Sequence, residues 1–96
     1  MQARVARYAV PPERWEEASE AFVRAGQELA QVGGLEKGYI LVDPADGCIV
    51  TVTLWESQAA LDASEVRAAG LRQRAAKEVD GEVQSVIVCD VVREFS

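Results

Sequence analysis

Residues 48–55, Cys-Ile-Val-Thr-Val-Thr-Leu-Trp, decide the fold. Five of these eight positions are β-branched. Such side chains sit easily on a pleated strand and crowd the preceding turn of a helix. Alternation places Cys48, Val50, Val52 and Leu54 on one side and Ile49, Thr51, Thr53 and Trp55 on the other. Neither side is polar enough to face water, so this strand is expected to be covered twice. Just upstream, Pro44-Ala45-Asp46-Gly47 has turn chemistry, and Tyr39-Ile40-Leu41-Val42-Asp43 is an apolar run too short for a helix. The two runs read as a β-hairpin.

Moving outward, Gln2–Val10 mixes β-branched, aromatic and small residues and is stopped by Pro11-Pro12, since proline cannot donate to a ladder. A helix is expected from Pro12, with Glu13, Glu16 and Glu17 at the positive end of its dipole. Its apolar stripe is Trp15, Ala18, Phe22, Ala25 and Leu29, and Gly33-Gly34 ends it. After Trp55, Ser57 is suited to cap a short helix from Gln58 to about Ala63, and Ser64 to cap a second one. The second carries Ala68, Leu71, Ala75 and Val79 on one stripe and closes at Asp80-Gly81. Gln84–Phe95 reads as the last strand.

The order βαββαβ is the split βαβ pattern of an α+β, ferredoxin-like domain spanning residues 1–96, with both helices on one face of a four-stranded antiparallel sheet. That arrangement leaves the second sheet face open. An apolar face of that extent exceeds the few hundred Å² that soluble monomers tolerate. A second copy packed sheet to sheet, as a homodimeric α/β barrel, is the simplest cover, with a small cavity expected between the sheets.

Composition narrows the chemistry. A net charge of −6 argues against nucleic acid as a partner, because binding phosphates needs excess Lys and Arg. No apolar run reaches the roughly 20 residues of a membrane span, and the first residues lack the apolar core of a signal peptide, so a cytoplasmic location is expected. Cys48 and Cys89 have neither metal-site nor redox spacing and are expected to be buried thiols; no metal site is expected. Histidine and asparagine do not occur in the sequence.

Trp55-Glu56-Ser57, followed by Ala60-Leu61, resembles the W-E-S signature of the antibiotic biosynthesis monooxygenase-like family, within the dimeric α/β-barrel superfamily. The likeness extends to Arg7-Tyr8-Ala9-Val10 leading into the first helix and to Gly38-Tyr39 opening strand two. It implies a cofactor-free oxygenase of phenolic substrates, a haem-degrading enzyme, or a member with no known activity. In the quinone-forming enzymes the pattern places Asn, Trp, Tyr, His and Arg where this chain has Thr51, Trp55, Leu61, Leu41 and Arg72. Only the Trp and the Arg are kept. The haem-degrading branch needs a His ligand where this chain has Leu71, so haem is not expected.

The candidate ligand-binding residues are therefore Trp55, Thr51, Thr53, Arg7, Arg72 and Asp90. Trp55 offers a stacking surface, although a Trp at a strand end also serves packing alone. Arg72 offers an anion clamp or a solvated helix face, and Arg7 either a pair with Asp90 or a ligand carboxylate. Thr51 and Thr53 offer hydroxyls. Tyr8 and Tyr39 are expected to pack, with Asp90 or a tyrosine as the only candidate base. Two functions remain open: a cofactor-independent monooxygenase acting on a small aromatic, and a non-catalytic dimer that binds a small molecule or serves as an assembly unit.

Overall fold

A computed structural model describes residues 1–96. The chain runs through strand β1 (Gln2–Ala9), a 3-10 turn (Pro12–Arg14), helix α1 (Trp15–Ala30), strands β2 (Leu35–Asp43) and β3 (Cys48–Trp55), helix α2 (Gln58–Glu78) and strand β4 (Glu82–Asp90). The sheet order is β2-β3-β1-β4 with every neighbouring pair antiparallel, and both helices lie on one face. This is the expected ferredoxin-like βαββαβ architecture. β1, the first strand made, occupies an interior position.

Register fixes what each face carries. Toward the helices point Arg4, Ala6 and Tyr8 from β1, paired through the ladder with Thr53, Thr51 and Ile49 from β3. Toward the open face point Val5 and Arg7, beside Val52 and Val50, which in turn neighbour Tyr39 and Leu41 of β2. Tyr39, Leu41 and Ile87 keep 48%, 48% and 54% of their surface in this chain, so the open face is apolar as anticipated.

The helix face holds the core in two clusters. One gathers Ala6, Tyr8, Phe22, Ile49, Ala75 and Val79; the other gathers Leu29, Trp55, Leu61, Ala68 and Leu71. Ala25 touches both. The α1 and α2 stripes expected from the sequence supply most of these residues. Across the exposed side of the helix pair, Glu28 accepts from Arg67 and Arg74, and Arg24 donates to Glu78; exposed pairs of this kind stabilise little.

Several boundaries differ from the expectation. α2 is one helix rather than two: Ser57 caps it through Ala60 N–H at 3.1 Å, while Ser64 is buried inside it. β2 begins at Leu35, ahead of the apolar run at Tyr39, and its polar start carries a register irregularity between Leu35 and Lys37. β4 ends at Asp90, because no neighbouring strand extends far enough to pair with the residues beyond; Val91 N–H only reaches the Met1 carbonyl at 3.0 Å. Cys48 is buried as expected and Cys89, on the outermost strand, is exposed. α1 ends as expected, with Gly33 and Gly34 at φ of 95° and 86°.

Candidate functional site

A cavity lies between the sheet and the helices at the seam of the two core clusters. It exists because the seam is lined by small residues, Ala6, Ala25, Gly26 and Ala68, where larger ones would close it. Its volume is about 70 Å³. Around it stand Phe22, Leu29 and Leu71, with Arg4, Tyr8, Thr51, Thr53 and Arg72 supplying the polar atoms. A second space of about 290 Å³ adjoins it between α1 and β2 and shares Phe22, Gly26, Thr51 and Thr53.

Arg4 is the most constrained polar residue here, 4% exposed. Its Nη2 donates to Leu61 O at 3.2 Å, to Ser64 Oγ at 3.1 Å and to Glu65 Oε2 at 2.8 Å. Ser64 in turn donates to Leu61 O at 2.6 Å, which fixes its oxygen toward the guanidinium. Arg4 Nε and Nη1 are shielded from water and have no acceptor within the protein. The guanidinium carbon lies 5.4 Å from the centroid of the Trp55 ring, a cation–π contact. Arg72, its side chain 11% exposed, approaches the other oxygen of Glu65 at 3.7 Å. Two guanidiniums thus share one carboxylate that is itself half exposed.

Tyr8 packs its ring against Phe22, centroids 4.4 Å apart, and its hydroxyl shares a 3.3 Å hydrogen bond with Thr51. Burial raises its pKa above the ordinary tyrosine value; the Thr51 hydrogen bond and the nearby Arg72 and Arg4 charges oppose that shift without cancelling it. At neutral pH Tyr8 is a protonated donor and not a base.

The placement of the anticipated residues is mixed. Thr51, Thr53 and Arg72 come together at the cavity, but on the helix side of the sheet and not between two sheets. Trp55 is fully buried behind Arg4, its Nε1 donating to Thr53 Oγ1 at 3.0 Å, and does not reach the cavity. Arg7 lies on the opposite sheet face and pairs with Asp46 at 2.9 Å rather than with Asp90, because the β2–β3 turn brings Asp46 over the end of β1. Asp90 ends β4 opposite Gln2, exposed and away from the cavity. Arg72 is not a solvated helix residue, and Tyr8, expected only to pack, lines the site. Leu41, where the resemblance places a His, is on the open face. Sequence reasoning missed Arg4, Ser64 and Glu65; the available signal was that Arg4 alternates with Ala6 and Tyr8 on one side of β1.

No curated protein matches the sequence. Among solved structures, the cofactor-independent oxygenase SnoaB from Streptomyces nogalater superposes with a TM-score of 0.74 at 16% identity, covering 97% of this chain and 94% of that one. The protein Rv0793 from Mycobacterium tuberculosis gives 0.72 at 18% identity, with 99% and 98% covered. A conserved protein from Methanosarcina mazei gives 0.69 at 14%, with 91% and 88% covered. At these identities the likeness establishes the fold. The sequence model of antibiotic biosynthesis monooxygenases matches residues 1–79, which carry the whole cavity wall, β1 through α2, and the chain belongs to that family.

Proposed function

We propose that this chain is a cofactor-independent monooxygenase that binds a small phenolic or enolic substrate as its anion between the helix layer and the sheet. The observation that supports this best is Arg4: a nearly water-free guanidinium at the cavity wall, with two unpartnered donors and Arg72 beside it. Oxidation by dioxygen without metal or flavin requires an electron-rich substrate anion in a dry site. Two positive charges lower the substrate's own pKa, so that it enters as the anion, its proton left in bulk solvent outside the site. For an activated methylene the balance is one methylene and one dioxygen giving one carbonyl and one water. In this proposal Tyr8, protonated at neutral pH and lining the cavity, donates to the oxyanion that develops. A homodimer packed through the apolar sheet face belongs to this proposal, since Val5, Val50, Val52, Tyr39, Leu41 and Ile87 need cover.

The test is oxygen uptake and quinone formation across a panel of hydroquinones and anthrones. Turnover that falls in Arg4 and Arg72 variants supports the proposal; no uptake, with a competent homologue active in the same assay, overturns it. Binding without turnover is the second reading. It is favoured by the direction of the Tyr8 shift, which removes that residue as a base.

A further inference from the structure

The same cleft also specifies the charge and shape of its ligand. We infer that the ligand is a small apolar carboxylic acid, bound with its carboxylate at Arg4 and Arg72 and its apolar body in the adjoining space between α1 and β2. This rests on the second reading of the site, anion binding without turnover, and not on oxygen chemistry.

Charge comes first. Arg4 and Arg72 face a single acid, Glu65, so the site carries one positive charge in excess. Glu65 is half exposed and engages only Nη2 of Arg4. Leaving the remaining donors of a buried guanidinium without acceptors is costly, and a ligand anion that accepts from them removes the cost. One excess charge matches a monoanion and not a phosphate ester near its dianion. Oxygen acceptors from a carboxylate also satisfy the neighbouring hydroxyls of Tyr8 and Thr51, which already hydrogen-bond each other.

Shape follows from the two spaces. The cavity of about 70 Å³ holds a carboxylate and little else, whereas the space of about 290 Å³ beside it is walled by Phe22, Val23, Leu35 and Ile40 and accepts a ring. Gly26 lies where they meet. It sits in the middle of α1, where glycine destabilises a helix by roughly 0.5–1 kcal/mol relative to alanine. A Cβ built there would meet nothing within 4 Å, so packing does not demand the glycine. Keeping the passage clear gives its absent side chain a role.

The test is calorimetric titration of the full chain with 3-phenylpropionate and with its neutral amide, 3-phenylpropanamide, in the absence of any oxidisable substrate. The acid is expected to bind at least about tenfold more tightly than the amide, the worth of one charge-assisted hydrogen bond. Arg4→Met is expected to abolish that preference. Gly26→Leu, which improves helix propensity and touches no charge, is expected to lower affinity for the acid at least about tenfold without lowering the melting temperature. Equal binding of acid and amide, or binding of neither, overturns the inference. Unchanged affinity in Gly26→Leu overturns the placement of the apolar body. Because no oxygen is consumed, these outcomes are independent of the uptake assay.

Discussion

Replacing Arg4 by methionine keeps a long unbranched side chain and removes the charge, and the expected result is a protein of similar or slightly greater stability that no longer holds anions. In the native chain Nη2 makes three hydrogen bonds, while Nε and Nη1 are dry and unpartnered. An unsatisfied buried donor costs about 1–3 kcal/mol, so removing two of them returns about 2–6 kcal/mol. Against this, the lost Nη2 bonds and the contact with the Trp55 ring remove about 2–4 kcal/mol, discounted because Glu65 is half open to solvent. The acceptors left behind are cheap to leave, since Leu61 O still receives Ser64 Oγ and Glu65 turns to water. The midpoints of the two ranges, about 4 and about 3 kcal/mol, leave a gain of about 1 kcal/mol, within limits of a loss of about 2 and a gain of about 4, and each kcal/mol moves the melting temperature of a domain this size by about 4–8 °C. Buried ion pairs replaced by hydrophobic residues behave in this way elsewhere. Urea and thermal unfolding followed by far-ultraviolet circular dichroism measure it. A loss of more than about 2 kcal/mol would falsify the reasoning, because Arg4 would then be part of the scaffold and not a residue retained for the site.

Gly34→Ala should destabilise by about 2–3 kcal/mol, read as a lower urea midpoint, because Gly34 has φ of 86° and a Cβ there would collide with Ala60; an unchanged midpoint would show that the β2 entry can shift. Tyr8 makes stability depend on alkaline pH. Its folded pKa exceeds the unfolded value, so the folded state holds the proton longer, and stability present below about pH 10 declines as pH rises toward the folded pKa. Phenolate absorbance of Tyr8 in a Tyr39→Phe background should titrate late, and Tyr8→Phe should flatten the decline; titration at the free tyrosine value would contradict the burial argument. Val52→Glu places a charge at the centre of the open sheet face, opposite Val5 and Tyr39. Sedimentation should give a dimer for the native chain and a monomer for the variant, and a dimer that survives the change would move the interface elsewhere.

The strands were legible because alternation is local: β3 has the predicted bounds, and its Thr51 and Thr53 share a side with Trp55 as read. What could not be read was which side of the sheet the helices would take. In β1, Ala3 and Val5 compete with Arg4 and Ala6 for the interior, and hydrophobicity favours the first pair. Tertiary structure chose the second, since the α2 residues Leu61, Ser64 and Glu65 supply the acceptors that a buried arginine requires. That choice put Thr51, Thr53 and Arg72 around a cavity beneath the helices. Ser64 shows the same limit. A serine ahead of an apolar stripe carries a capping signal, and only the long-range arginine reveals that its hydroxyl is engaged within an unbroken helix.

The sheet order β2-β3-β1-β4 has a consequence for how the chain is made. β1 leaves the ribosome first yet needs β3 on one flank and β4 on the other, and Arg4 meets Glu65 only across 61 residues of sequence. Loop closure of that length precedes any reward from the pairing, which makes folding slow for a domain of this size. The β2–β3 hairpin and the helices can form early, but Arg4 keeps its full hydration until α2 is complete. Desolvating that guanidinium is therefore a late step, and variants at Arg4 are expected to change the unfolding rate more than the folding rate.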